Sequence, residues 1–287
     1  MIGRLMALVC ALTFSTGAAR AQMVDVDGGQ LSYEICGEGR QDTNKQAIVL
    51  IHDGVINSAS FDDLWPILCR DFRFVRYDRR GYGRSPAAKA PYAPQDDLAA
   101  VMAAAKMEHA SLVGFSFGGG LAVSYAVLHP EQVDRLIISG SVINGFQMSK
   151  HFNDRNLHIA LPMIIGNFDS VVANARKDPW LMAPGHEAAR DRAVALVKAN
   201  PQDLKHQSND KIKGWPSDLK RLPDLKMPTL ILEGEWDIPD VHAIAGAVAV
   251  LIPGSTRLVV KDTGHLMQIE HPREVAGLIA DFVRKGR

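Results

Sequence analysis

Leu112-Val113-Gly114-Phe115-Ser116-Phe117-Gly118-Gly119-Gly120 decides how the rest of the chain is read. The apolar run Ser111-Leu112-Val113 enters a Gly-x-Ser-x-Gly pentapeptide, and Leu121, Ala122, Tyr125 and Ala126 continue at helical spacing. Strand, sharp turn and helix are the context this motif requires. The turn forces the serine into a strained conformation, so Gly114 and Gly118 stand where a Cβ would strike neighbouring backbone. Ser116 is then expected above a sheet, hydroxyl exposed, with a helix N-terminus behind it. A glycine-rich turn that merely contains a serine would look the same over five residues. Partners elsewhere in the chain decide between the two.

Working outward, Met23–Val26 and Leu31–Ile35 flank Asp27-Gly28-Gly29, a hairpin signal. Ala47–Ile51 is a continuous apolar run, as in a strand buried on both faces. A helical stretch is read over Phe61–Cys69, a strand over Phe72–Tyr77, a helix over Gln95–Lys106 and a buried strand over Arg135–Ser139. From about Phe146 to Leu222, β-branched runs give way to short amphipathic segments between prolines and glycines, which reads as a helical insertion. Strand character resumes at Thr229–Glu233 and Thr256–Val260, and Pro272 opens a final helix to Val283. Alternating strands and helices imply an α/β fold: a mostly parallel central sheet with helices on both faces.

Ligands in such sheets bind beyond the carboxyl ends of the strands, so reactive residues should follow strands closely. Ser116, Asp237 and His265 do, in the chain order expected for this serine. A serine hydroxyl needs a base to take its proton, which assigns His265. Asp237 would hold the imidazole tautomer and stabilise its cation. The oxyanion donors are expected at the Phe117 amide and in the loop after Ile51, at Gly54 or Val55. His52 is read as holding that loop, and Arg79 and Arg80 as anchoring theirs through ion pairs. The histidines show no His-x-x-x-His or carboxylate spacing, so no metal site and no cofactor are expected.

With these residues in place the chain resembles the α/β-hydrolase fold superfamily, serine-nucleophile type, over its whole mature length. The matching pieces are His52-Asp53-Gly54, the loop Asp78-Arg79-Arg80-Gly81-Tyr82-Gly83-Arg84-Ser85 and the three catalytic positions. Asp53 departs from the glycine of the family's His-Gly pair. The resemblance implies a core over 22–145 and 223–287 and a helical cap over 146–222, with Phe152, Leu157, Leu161, Met163, Ile164, Phe168, Trp180 and Met182 as apolar pocket candidates. Phe115 and Phe117, beside the nucleophile, are read as acyl-side walls or as core. It also makes the strand that ends at Cys36 a neighbour of the strand that Cys69 precedes, with both cysteines at the edge opposite the active site, where a disulfide and two separate thiols are both open.

A serine nucleophile with His and Asp performs acyl transfer. Hydrolysis of a small carboxylic ester or lactone through an acyl-Ser116 intermediate is the expected reaction. The family's dehalogenases and epoxide hydrolases, which carry aspartate at that position by resemblance, are disfavoured. Gly118-Gly119-Gly120 is similar to cofactor-free haloperoxidase-like members. Carbon–carbon bond hydrolysis and a non-catalytic, receptor-like ligand-binding role are the alternatives. Arg4, the apolar stretch Leu5–Phe14 and Ala19-Arg20-Ala21 read as a signal peptide over 1–21, hence a periplasmic or secreted protein. The apolar stretch is too short to span a bilayer. Removing Arg4 and Arg20 from 32 basic residues leaves 30 against 32 acidic ones, a balance that supports neither nucleic-acid nor anionic-membrane binding. The oligomeric state is not legible.

Overall fold

A computed structural model describes residues 21–37, 46–205 and 217–285. The expected signal peptide, but for Ala21, lies outside the described residues. Eight strands form one sheet: β1 (Gln22–Val26), β2 (Gly29–Cys36), β3 (Ala47–Ile51), β4 (Arg73–Tyr77), β5 (Ala110–Phe115), β6 (Val133–Ser139), β7 (Thr229–Gly234) and β8 (Thr256–Val260). Their order is β1-β2-β4-β3-β5-β6-β7-β8, with β2 antiparallel to both neighbours and the other pairs parallel. The helices are α1 (Trp65–Leu68), α2 (Pro94–Ala104), α3 (Phe117–Leu128), α4 (Lys150–Ile164), α5 (Phe168–Lys177), α6 (Glu187–Ala199), α7 (Gln202–Lys205), α8 (Pro239–Leu251), α9 (Met267–Glu270) and α10 (Pro272–Lys285).

The apolar run in β3 is continuous because both faces are covered. Val49 and Ile51 enter one core cluster with Leu112, Ile138 and Ile231, while Ile48 and Leu50 enter the other with Val113, Ile137 and Leu230. Successive strand side chains point to opposite faces, so each strand feeds two cores. Helix α3 is buried over Gly118–Val127, as a helix apolar all round must be. Helix α10 instead buries one stripe, Val275, Ala276, Ile279, Ala280, Phe282 and Val283. Each large apolar side chain so covered contributes roughly 1.5–3 kcal/mol.

One expectation changes in detail. The helix expected over Phe61–Cys69 divides into a 3₁₀ turn at Ser58–Phe61 and the single turn α1. Pro66, at the start of α1, has no N–H to carry a longer helix through this point. Between β6 and β7 the described residues hold α4 to α7 and a 3₁₀ segment, Leu219–Asp224, and no strand. Asp203 of α7 ties this insertion to the core, accepting from Asn57 Nδ2 at 2.9 Å and from the Gly83 amide at 2.8 Å. Burial pushes the Asp203 carboxyl up to about 6.

Cys36, which pairs with Phe74 at the amino end of β4, is joined to Cys69 by a disulfide with a Cα–Cα distance of 5.6 Å. The closed loop spans 33 residues of sequence separation, for which chain entropy gives roughly 2–4 kcal/mol. Replacing both cysteines by serine should lower the unfolding free energy by that amount in urea titrations. Alkylation and peptide mapping of the denatured, unreduced protein should leave Cys36 and Cys69 unlabelled, and labelling of both would contradict the bridge.

Candidate active site

Ser116 links β5 to α3 at φ 51°, ψ −117°. The amide of Ser116 donates to the Ser139 carbonyl at 2.8 Å, pinning the turn to β6. A Cβ at Gly114 would run into the Gly118 carbonyl, and one at Gly118 into the carbonyls of Ile51 and His52. The glycines therefore let strand, turn and helix approach one another, as their positions in the motif imply.

The carboxyl ends of β7 and β8 bring two more groups to this serine. His265 Nε2 lies 2.9 Å from Ser116 Oγ, and His265 Nδ1 lies 2.7 Å from Asp237 Oδ1. That same Asp237 oxygen accepts the Ile238 amide at 2.7 Å, and the side chain is buried. Burial is the largest influence on His265 and lowers its pKa, but the charge of Asp237 and its hydrogen bond together raise it above the ordinary imidazole value. The loop carrying His265 is held by the insertion: the His265 amide donates to the Trp180 carbonyl at 2.9 Å and the Leu266 amide to that of Leu181 at 3.1 Å. Glu270 of α9 adds a double tie, accepting the amides of Ala183 and Gly264 at 2.7 Å each. Nothing in the spacing of Glu270 marked it beforehand, because its partners are backbone groups on a remote segment.

Gly54 and Phe117 both line the cavity with Ser116 and His265, and a Cβ on Gly54 would sit 3.7 Å from the Phe117 Cβ. The alternative donor, Val55, has its amide committed to Asp53 Oδ1 at 2.7 Å, alongside that of Ile56 at 2.8 Å. Asp53, the departure from the family pattern, thus shapes the loop with its carboxylate. Burial raises the pKa of that group. His52 is structural, as expected: Nδ1 lies 2.8 Å from the Asp53 carbonyl, and Nε2 accepts the Arg79 amide at 3.0 Å. Burial lowers its pKa well below the usual value, which suits a neutral ring.

The two arginines read as ion-paired separate. Arg80 pairs with Asp97 at 2.7 Å, but Arg79 has no such partner among the described residues and instead stacks on Phe117 and Tyr82, 4.3 and 4.6 Å from their ring centres. The adjacent phenylalanines separate as well. Phe115 packs in the core on Phe61, and Phe117 faces the cavity. The cavity has a volume of about 410 Å³ and a wall drawn largely from the insertion. Phe152 and Met182 contribute as anticipated, whereas Leu157, Leu161 and Ile164 are exposed and Trp180 packs against His151. Phe168 is off the wall, and the Met163 side chain lies outside the described residues. Away from the cavity, the ligand atoms of His186, Asp262 and His271 lie within 4.8 Å of one another. Sequence spacing passed over this group because its members come from distant segments. No helix among the described residues is long and apolar enough to cross a membrane.

Comparison with known proteins agrees with this fold. A family model described as alpha/beta hydrolase fold matches residues 46–272. The 2-hydroxymuconate semialdehyde hydrolase of Pseudomonas sp. (strain CF600) is 27% identical over 250 residues, covering 82% of this chain and 86% of that protein. The pimeloyl-acyl-carrier-protein methyl ester esterase of Edwardsiella ictaluri (strain 93-146) is 27% identical over 259 residues, covering 88% and 96%. Among solved structures, the enol-lactonase of Burkholderia xenovorans LB400 superposes with a TM-score of 0.78 at 21% identity, covering 92% of this chain and all of that one. Sheet order, turn geometry and the extent of the family match together place the chain in the alpha/beta hydrolase fold family.

Proposed function

We propose that the protein hydrolyses a small carboxylic ester or lactone through an acyl-Ser116 intermediate. The observation that carries this reading is the continuous relay from Ser116 Oγ to His265 Nε2, at 2.9 Å, and from Nδ1 to Asp237, at 2.7 Å. Ser116 Oγ attacks the acyl carbon while His265 Nε2 takes its proton, and Asp237 keeps the other nitrogen protonated and faces the resulting cation. The amides of Phe117 and Gly54 receive the oxyanion. His265 then returns the proton to the departing alkoxide, which stays tethered if the substrate is a lactone. Water repeats the cycle on the acyl-enzyme and frees Ser116. The helices between β6 and β7 act as a cap that keeps bulk water from the pocket.

The relatives support the ester reading unevenly. One is named as a methyl ester esterase and a fold neighbour as an enol-lactonase, while another relative is named as a semialdehyde hydrolase and favours carbon–carbon cleavage as the second reading. Steady-state turnover of 4-nitrophenyl acetate and butyrate discriminates. The wild type should hydrolyse them, and Ser116→Ala should lose at least about 10³-fold in kcat. No turnover above Ser116→Ala would sink the esterase reading and leave the ligand-binding one, and turnover confined to vinylogous diketones would favour the carbon–carbon reading.

A general base must be neutral in the free enzyme, so kcat/KM should fall as pH drops through the His265 pKa. Because Asp237 raises that pKa, the acid limb should lie above the ordinary value of about 6.5. A midpoint at or below that value would mean that burial outweighs the Asp237 charge at His265.

We also propose that residues 1–21 are removed on export to the periplasm or medium. The disulfide supports this, since such bonds persist in oxidising compartments. Terminal sequencing of the exported protein should begin at Gln22, and a retained Met1 would refute cleavage.

A further inference from the structure

Four arginines stand on the cavity wall: Arg79, Arg80, Arg155 and Arg190. Arg80 faces Asp97 at 2.7 Å and Arg155 faces Asp178 at 2.6 Å. Arg190 donates to the carbonyls of Arg176, Asp178 and Met182, and its Nε reaches Glu187 at 4.0 Å. Arg79 differs. Its guanidinium donates to the Asp53 carbonyl at 2.6 Å, its Nε is buried without a hydrogen-bond partner, and no carboxylate among the described residues pairs with it. Partly exposed, it is held in place by the Phe117 and Tyr82 rings and by its own amide on His52 Nε2. Among the described residues the one carboxyl on the cavity wall is Asp53: its Oδ1 takes the amides of Val55 and Ile56, its Oδ2 is buried without a hydrogen-bond partner, and burial raises its pKa while the charges of His265 and Arg79 pull it down, so it makes no ion pair with Arg79.

An arginine side chain remains charged at any pH the protein meets. Leaving such a charge without a counter-ion beside apolar groups is costly, and a ligand anion that pairs with it recovers the loss. Most of the rest of the described wall is apolar, including Phe152, Ile159, Val171, Met182 and Val194, with Asn156 and Tyr92 as polar members. The position is also informative, because Arg79 stacks on Phe117, the residue next to the nucleophile and one of the two oxyanion donors assigned above. A planar, pre-oriented guanidinium suits two-point recognition of a carboxylate.

Resting on the acyl-transfer reading, we infer that the substrate carries a carboxylate near its scissile bond and that Arg79 receives it, so that this enzyme prefers anionic esters or lactones to their neutral counterparts. Arg79 is here a specificity-determining residue. It binds the part of the substrate that does not react.

Matched pairs test this. One pair places the charge on the acyl side, mono-4-nitrophenyl adipate against its methyl ester. The other places it on the leaving group, 4-butanoyloxybenzoate against its methyl ester. In at least one pair the wild type should favour the anion by about tenfold or more in kcat/KM, mostly through KM. Arg79→Gln should cut that ratio by about tenfold, and Arg79→Lys should keep part of it. Because the readout is a ratio, a general loss of activity in either variant cancels. Free adipate should inhibit the wild type competitively and Arg79→Gln at least tenfold more weakly. If the wild type cleaves the neutral esters as well as the anions in both pairs, and the ratio is unmoved by Arg79→Gln, the inference is overturned while the esterase reading stands. If neither member of either pair is cleaved, the acyl-transfer reading fails first.

Discussion

The left-handed backbone of Ser116 is the constraint on which the rest of the site depends. A non-glycine residue at φ 51° and ψ −117° costs about 1–3 kcal/mol and persists only where its surroundings over-determine it. Here β5, buried between β3 and β6, fixes one side, and α3, buried along Gly118–Val127, fixes the other. Both cores of the sheet contribute, since Leu112 anchors one and Val113 and Phe115 the other. The turn so fixed holds the hydroxyl at the height where an imidazole from beyond β8 can meet it.

That meeting needs a second piece of engineering. Four residues separate the end of β8 from His265, so the strand alone does not set the imidazole. The insertion does, through backbone bonds from 180–181 to 265–266 and through the two amides gathered by Glu270. The segment that walls the cavity therefore also positions the His265 imidazole. Changes in the insertion reach the relay without touching any of its three members. Asp203 supplies the matching tie at the other side, joining α7 to the loops that carry Asn57 and Gly83.

What could be read from the chain follows physical range. Ser116, Asp237 and His265 were legible because each obeys a local rule, a reactive residue just past a strand end in a fixed order. The insertion was legible because helical spacing replaced β-branched runs. The sequence does not separate Arg79 from Arg80, because they are adjacent and carry the same charge, while the partners that distinguish them, Asp97 for Arg80 and aromatic rings for Arg79, lie elsewhere in the fold. Leu157, Leu161 and Ile164 show the same limit, since apolar spacing identifies a face but not what it faces. The cysteine pairing stays open in the sequence because it takes both the register of β2 on β4 and the turn α1, which ends at Cys69, to bring the two sulfurs together.

The central claim is covalent, and the most direct measurement is a rapid acid quench of the enzyme with 4-nitrophenyl butyrate, followed by intact-mass analysis and peptide mapping. The account predicts a species one butyryl group heavier, with the added mass on the peptide containing Ser116 and absent from Ser116→Ala. Turnover with the acyl group found on another residue, or found equally in Ser116→Ala, would contradict it.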